Sequence, residues 1–275
     1  MSVVFFHIPR TGGSTIWHSL IQAATKRGVW IADLYYDSMQ QYGEAHHAYD
    51  VLEKLGGLRV PRSSPNLLYH HHTRQNLTAI LPPSENQYVT AVRDPVERFV
   101  SEIFLLKEGL INGKNHPHEA EKFGGKYFMD GWALEYYYEP EFYAAAANES
   151  LPIDELMLLA VERKVHENYY FNYFYSLLFG STKEWASTYS GDPALIVKPL
   201  AREVKEKFAY IGIFPFMQRS VREISTLGGF QDFSSDALKH IENGSKKMPL
   251  ARATRERLRD YFDLDYQFLD LIVNQ

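Results

Sequence analysis

A short polar loop near the amino terminus carries residue types that bind phosphate or sulfate. An apolar run at residues 3–8 precedes the loop and an amphipathic segment follows it to about residue 27, which predicts a strand, a tight loop and a helix. The first N–H groups of a helix point into such a loop, and the helix dipole favours an anion there. The loop is therefore a candidate anion site, and its candidate residues are Arg10, Thr11, Gly12, Gly13, Ser14 and Thr15.

The glycine pair alone is equally compatible with an ordinary turn between a strand and a helix. The usual triphosphate-binding pattern GxxxxGK[ST] is absent. No lysine follows the glycines, and the cation of the loop, Arg10, precedes them. This arrangement argues against ATP as a phosphoryl donor and favours a different anhydride.

The elements that must position this loop are predicted to form an α/β fold with a mainly parallel sheet. Several strand candidates are continuous apolar runs separated by helical stretches, as in parallel sheets built from crossover units. Ligands of such sheets collect beyond the carboxyl ends of the strands. The Arg10 loop, the run His70–His72 and Arg93 all lie at or just past predicted strand ends, so we expect them at one edge. The predicted strands are residues 3–8, 29–34, 67–70, 88–93 and 210–214.

A well-marked helix is predicted to follow Arg93. Asp94 is a suitable N-cap, Pro95 suits the first turn and Glu97 stands where a capping-box acid belongs. Apolar residues at 96, 99, 100 and 103 predict a buried face, and Arg98 is expected to brace the helix through nearby acids. Two further helices are predicted at 251–262 and 264–273. We expect residues 1–275 to form one domain, with an insertion on the acceptor side at about 113–166.

Composition excludes several classes of protein. The chain has 275 residues, a net charge of −5 and no cysteine. A global basic field for nucleic acid is therefore missing, and disulfides, thiolate nucleophiles and cysteine-ligated metals are impossible. No apolar run reaches the roughly 18 residues of a membrane-spanning helix, and no signal peptide is recognised. The aromatic-rich segments 127–143 and 169–175 are interpreted as core, with sugar stacking as the alternative.

Two motifs together resemble those of a known enzyme family. The loop HIPRTGGST (7–15) resembles the 5′-phosphosulfate loop of sulfotransferases that use 3′-phosphoadenosine 5′-phosphosulfate (PAPS). The segment YVTAVRDPVERFVSEIF (88–104) resembles the RDPxxRxxS motif that binds the 3′-phosphate in that family. The branch that includes the carbohydrate 2-O-sulfotransferases is the most similar. One departure is Arg10, where the family usually carries lysine.

The resemblance implies a P-loop-like, three-layer fold and a set of ligand contacts. Arg10 would stabilise the leaving phosphate as a catalytic cation, and residues 11–15 would hold the 5′-phosphosulfate. Arg93 and Ser101 would bind the 3′-phosphate. A loop containing Ser245, Lys246 and Lys247 would close over the nucleotide, although a solvated turn is nearly as good an interpretation.

The resemblance also implies a histidine general base at the end of the third strand. His72 matches the family position best and His70 is the second choice, and imidazole can accept a proton near neutral pH. The alternative for His72 is a capping or solvated histidine with no catalytic role. A metal site built from the histidine run is disfavoured, because adjacent residues of an extended segment point to alternate sides.

The function implied is sulfuryl transfer from PAPS to a hydroxyl acceptor, with a carbohydrate as the expected acceptor and adenosine 3′,5′-bisphosphate as the product. A P-loop kinase-like phosphotransferase and a non-catalytic nucleotide-binding protein of the same fold are the alternatives. We expect a soluble, cytoplasmic, bacterial protein that binds neither nucleic acid nor a metal. The acceptor and the oligomeric state stay open.

Overall fold

Five strands form one parallel sheet in the computed structural model, which describes residues 2–33, 66–71, 82–115, 140–179, 192–230 and 249–273. The strand order is β2-β3-β1-β4-β5, and each neighbouring pair is parallel. The predicted α/β class with a parallel sheet is therefore confirmed, and the five predicted strands are present with ends shifted by one or two residues. The strands are β1 Ser2–His7, β2 Trp30–Asp33, β3 Asn66–His71, β4 Asn86–Val92 and β5 Phe208–Ile213.

Nine α-helices accompany the sheet in the described part of the chain. A short 3₁₀ helix, Pro193–Leu195, precedes the sixth of them. The nine are α1 Gly13–Lys26, α2 Pro95–Asn115, α3 Pro140–Ala146, α4 Ile153–Glu162, α5 Tyr169–Phe179, α6 Val197–Lys207, α7 Met217–Leu227, α8 Arg252–Tyr261 and α9 Asp263–Val273.

The central strand β1 is buried along its whole length, which explains its continuous apolar sequence. Successive side chains of a strand point to opposite faces of the sheet. Phe5 on one face belongs to a core cluster with α1 and α7, including Leu20 and Val221. Phe6 on the other face packs against Phe208, which in turn contacts Phe174 of α5. Helices therefore lie on both faces of the sheet.

Chain contacts divide the described residues into two units. The first contains the described parts of Met1–Arg93, Tyr170–Gly244 and Leu264–Gln275, and so includes the whole sheet. The second contains the described parts of Asp94–Tyr169 and Ser245–Asp263. The expectation of a single domain with an insertion at about 113–166 stays a prediction.

The second unit is organised around α2, and its start follows the sequence prediction. The Asp94 carboxylate accepts a hydrogen bond from the Glu97 N–H at 2.9 Å, which is the geometry of an N-cap. The predicted apolar face is buried, with Phe99 and Ile103 fully inaccessible to solvent. Helices α3, α4 and α8 pack against α2 in this unit. The predicted N-cap and buried face are thus confirmed.

Candidate anion site at the carboxyl edge of the sheet

The loop between β1 and α1 turns sharply through two residues in left-handed backbone conformations. Arg10 has φ 66° and Gly12 has φ 81°. The left-handed region is uncommon for a residue with a side chain, and such outliers cluster at functional sites. The Thr11 hydroxyl, which is fully buried, donates to the Ile8 carbonyl at 2.8 Å and closes the turn. The loop is therefore held in one strained shape by its own hydrogen bond.

Packing requires glycine at both positions of the pair. A Cβ on Gly13 would lie 2.5 Å from the Nε2 atom of His7 and still closer to a ring carbon. A Cβ on Gly12 would lie 2.5 Å from the Met217 sulfur, in addition to the strain of its positive φ. Both clashes arise within the protein itself. The glycine pair alone is thus no sign of a ligand, and the site must be judged from its other residues.

The amino end of α1 supplies main-chain donors beside this turn. Gly12 is the N-cap residue, and its carbonyl accepts the first helical bond from the Ile16 N–H at 3.1 Å. Because glycine has no side chain, the N-cap offers nothing to the N–H groups of residues 13–15, which open the helix. These N–H groups carry the positive end of the helix dipole. An anion at the turn would meet them directly.

Arg93 brings a second guanidinium group to the same turn. It follows the last residue of β4 and is buried. Its Nη1 donates to the main-chain carbonyl of Arg10 at 3.4 Å, and its guanidinium carbon lies 4.6 Å from the centre of the Phe214 ring. Two predicted site residues that are 83 positions apart in the chain therefore meet at the carboxyl edge of the sheet, because β1 and β4 are parallel neighbours.

Tyr170 is a member of this site that the sequence did not single out. Its hydroxyl oxygen accepts from the Arg93 N–H at 2.9 Å, and the same hydroxyl donates to the Arg93 carbonyl at 2.8 Å. The aromatic-rich segment 169–175 was the available signal, and it predicted core. The core prediction is confirmed, since Tyr170 is fully buried, but the hydrogen-bonding role depends on a contact across 77 residues.

Asp265 in turn holds the start of α5. Its carboxylate, fully buried, accepts from the Phe171 N–H at 3.0 Å. This N–H belongs to the first turn of α5, where helical N–H groups lack intrahelical partners. Asp265 therefore caps α5 from α9 and fixes the backbone beside Tyr170. No local pattern in the sequence indicates this pairing.

Arg98 has the structural role that its position predicted. It is almost completely buried in the second unit, where it forms an ion pair with Glu102 one turn along α2 and stacks 3.6 Å above the Tyr169 ring. The Nδ1 atom of His166 lies 3.1 Å from Arg98 Nη2 and 3.3 Å from Glu102 Oε2. Burial alone would raise the pKa of Glu102, but the charges and hydrogen bonds of His166 and Arg98 lower it to about 2. The predicted brace by a nearby acid is confirmed.

Of the remaining predicted site residues, some lie in the described part of the chain and others lie outside it. Ser101 lies on α2, in the second unit, so its cooperation with Arg93 stays a prediction. Ser14 and Thr15 lie in the first turn of α1. His70 is in β3, paired in register with Phe6 of β1. The residues that fall outside the described ranges are His72, Ser245, Lys246 and Lys247.

The third strand nevertheless ends at the right edge for the expected base. β3 is the other parallel neighbour of β1, and its last residue pairs with the last residue of β1. His72 follows β3 directly in the chain, as the Arg10 loop follows β1.

In the described part of the chain, no group of three or more His, Asp or Glu side chains is arranged to hold a metal ion.

No family model matches this chain, and no curated protein is significantly similar to it. Among the helices of the described residues, none combines the length and the apolar character needed to cross a bilayer.

Proposed function

We propose that this protein transfers a sulfuryl group from PAPS to a hydroxyl acceptor, with a carbohydrate as the acceptor class. The observation that carries the proposal is the 3.4 Å contact between Arg93 Nη1 and the Arg10 carbonyl. It joins the two motifs that resemble the phosphosulfate loop and the 3′-phosphate motif of PAPS-dependent sulfotransferases. The proposal includes a P-loop-like, three-layer fold, which the parallel sheet with helices on both faces supports.

The residues of the edge fit a ligand that carries two separate anionic groups. One guanidinium belongs to the turn before α1 and the other follows β4, and the amino end of α1 adds main-chain donors. The hydroxyl proton of Thr11 is donated to Ile8 within the turn, so a contact from Thr11 to a ligand would come from its N–H. The left-handed conformation of Arg10 is the kind of strain that persists where function requires it.

In the proposed reaction PAPS supplies the sulfuryl group. Arg10 stabilises the charge that develops on the 5′-phosphate as the sulfur–oxygen bond to it breaks, and residues 13–15 hold the group with their N–H donors. Arg93 binds the 3′-phosphate, and a contribution of Ser101 is what the family resemblance implies. His72, with His70 as the alternative, takes the proton of the acceptor hydroxyl as its oxygen bonds to sulfur. Ser245, Lys246 and Lys247 close over the nucleotide.

Ligand binding tests the proposal before the acceptor is known. We expect adenosine 3′,5′-bisphosphate to stabilise the protein by about 2.7 kcal/mol at 100 times its dissociation constant. AMP at the same concentration should stabilise the protein far less. Isothermal calorimetry and thermal unfolding measure both ligands. Stabilisation by ATP with Mg²⁺ but not by the bisphosphate would favour the kinase-like alternative and refute the proposal.

Turnover is the second test. The protein is incubated with labelled PAPS and a panel of sugars, glycans and phenols, and mass spectrometry detects the gain of a sulfuryl group. Sulfation of one acceptor class supports the proposal and identifies the acceptor. Tight binding of the bisphosphate without product on any acceptor would favour the non-catalytic binding protein.

A further inference from the structure

We infer that Tyr170 is a positioning residue that makes the site selective for a 3′-phosphate by fixing the backbone of Arg93. This inference rests on the proposed function, because it concerns the group that Arg93 is proposed to bind. It starts from the two hydrogen bonds between the Tyr170 hydroxyl and the main chain of Arg93, at 2.9 and 2.8 Å. A single phenol oxygen thereby serves both the N–H and the carbonyl of one residue.

Arg93 needs this external support because the sheet ladder stops beside it. The preceding residue, Val92, is the last of β4, and its carbonyl accepts from the Phe214 N–H at 2.8 Å. Buried main-chain groups are almost always paired, and Arg93 is buried. Beyond the last sheet hydrogen bond, the Tyr170 hydroxyl pairs with the N–H and the carbonyl of Arg93. The Tyr170 side chain is fully buried. Water is thus poorly placed to substitute for it.

The backbone of Arg93 decides where its guanidinium group points. The direction of the Cα–Cβ bond follows from the main-chain conformation, and the side chain then extends to the Arg10 carbonyl and over the Phe214 ring. An arginine binds phosphate through a planar fork of N–H donors. A small rotation of the Arg93 main chain therefore moves both donors of the fork away from the phosphate together. Loss of the Tyr170 hydroxyl should therefore weaken recognition of one phosphate more than the rest of the ligand.

Tyr170 is itself held firmly enough to act in this way. The next N–H along the chain, that of Phe171, donates to the buried carboxylate of Asp265 at 3.0 Å. The Phe171 ring also meets Phe268 of α9 edge-on, with 6.3 Å between ring centres. Hydrogen bonds thus connect Asp265 to the start of α5, and Tyr170 of α5 to the main chain of Arg93. All of these residues lie within the first unit.

The test compares two ligands that differ only in the 3′-phosphate. Dissociation constants of adenosine 3′,5′-bisphosphate and AMP are measured by calorimetry for the parent protein and for Tyr170→Phe. We expect the ratio of the two constants to shrink about tenfold in the variant, with AMP affinity nearly unchanged; tenfold corresponds to about 1.4 kcal/mol. Tyr173→Phe, a nearly fully buried tyrosine on the same helix, is the matched control and should keep the parent ratio.

Two further variants separate positioning from a general effect on folding. In an Arg93→Ala background the ratio should already be small, and adding Tyr170→Phe should change it no further. Asp265→Asn keeps an oxygen for the Phe171 N–H but replaces the other carboxyl oxygen by an amide nitrogen, so it should reduce the ratio in the same direction by a smaller factor. This variant also carries the test if Tyr170→Phe fails to fold.

The outcomes distinguish this inference from the proposed function. A parent protein that does not prefer the bisphosphate refutes the proposed function and the inference with it. A parent that prefers it, together with an unchanged ratio in Tyr170→Phe, overturns the inference and leaves the function standing. Equal weakening of both ligands by Tyr170→Phe would mean a merely structural role and would also overturn it.

Discussion

Replacing Arg10 by glycine should give a protein that is more stable than the Arg10→Ala variant, while removing most of the proposed activity. The left-handed backbone at Arg10, with φ 66°, costs a residue that has a Cβ about 1–2 kcal/mol. Glycine adopts this conformation without that cost, but it loses more backbone entropy on folding, about 0.5–1 kcal/mol. Relative to alanine at this position, the difference predicts a gain of about 0–1.5 kcal/mol in the free energy of unfolding.

Alanine and lysine at the same position separate the strain from the charge. Arg10→Ala keeps the backbone strain and removes the guanidinium group, as Arg10→Gly does, so the two variants differ in stability by the backbone effects alone. Both the glycine and the alanine variants retain the main-chain carbonyl that accepts from Arg93. Both should lose about 10²–10³ in turnover, or about 2.7–4 kcal/mol of transition-state stabilisation. Arg10→Lys should keep much of the activity, because lysine is usual in the family that the loop resembles.

Two measurements decide between these expectations. Urea denaturation gives the free energy of unfolding of each variant, and sulfated product is quantified with the acceptor that the screen identifies. A glycine variant less stable than the alanine variant would refute the strain assigned to this position. Parent-like turnover in both variants would refute the role of Arg10 at the leaving phosphate.

Three other sites, namely Gly13, the histidine run and Glu102, give independent predictions. Gly13→Ala should destabilise the protein by about 1–3 kcal/mol, measured by urea denaturation, because the new methyl group clashes with the His7 ring. His72→Ala should lower turnover by about 10²–10⁴ with little change in bisphosphate affinity, and His70→Ala should do less. Glu102→Gln should flatten the loss of stability in acid. The folded-state pKa of Glu102 is about 2, below its ordinary 4.5, so its contribution, on the order of 3 kcal/mol, is present above about pH 4.5 and is lost as the pH falls towards 2.

A matched variant accompanies each of these three. Gly28→Ala places a side chain at positive φ with nothing within 4 Å of its Cβ, so it measures backbone strain without a clash, about 1–2 kcal/mol. Gly13 is not at positive φ, and a Gly13→Ala variant as stable as the parent would show that the contact with His7 is unimportant. His71→Ala is the control for the histidine run, and activity in all three histidine variants would place the base elsewhere. Glu108→Gln makes the same exchange at an exposed position of the same helix and is the reference for Glu102→Gln. An acid limb of Glu102→Gln identical to that of the parent would contradict the pKa shift of Glu102.

Local patterns in the sequence were sufficient for the five strands and for the helices α1, α2, α8 and α9, whereas α3 and α4 lie in the segment that was predicted as an insertion. Continuous apolar runs indicated the buried strands, and the predicted segment 67–70 proved to be Asn66–His71. The N-cap at Asp94 and the pairing of Arg98 with an acid one turn away were also predictable. Each of these features depends on residues within about four positions of one another, which is the range over which capping and helical ion pairs act.

The candidate site was predictable only in part. The parallel sheet brings Arg10 and Arg93 to one edge, as the strand ends indicated, and their contact follows from β1 and β4 being neighbours. The sequence left the requirement for Gly12 open between an anion-binding loop and an ordinary turn. The structure assigns it to packing against Met217, a residue from a distant helix, which no local pattern reveals.

By itself the sequence determined the five strands, the helices that follow β1 and β4, the last two helices and the polar loop after the first strand, because these follow from backbone propensity and short-range periodicity. Only the tertiary structure decided that Arg10 adopts a left-handed conformation and that Tyr170 supports the backbone of Arg93. It also decided that a buried Asp265 caps the helix that carries Tyr170. The physical reason is that burial leaves main-chain groups without water, and the partner that satisfies each one is chosen by packing across the whole chain.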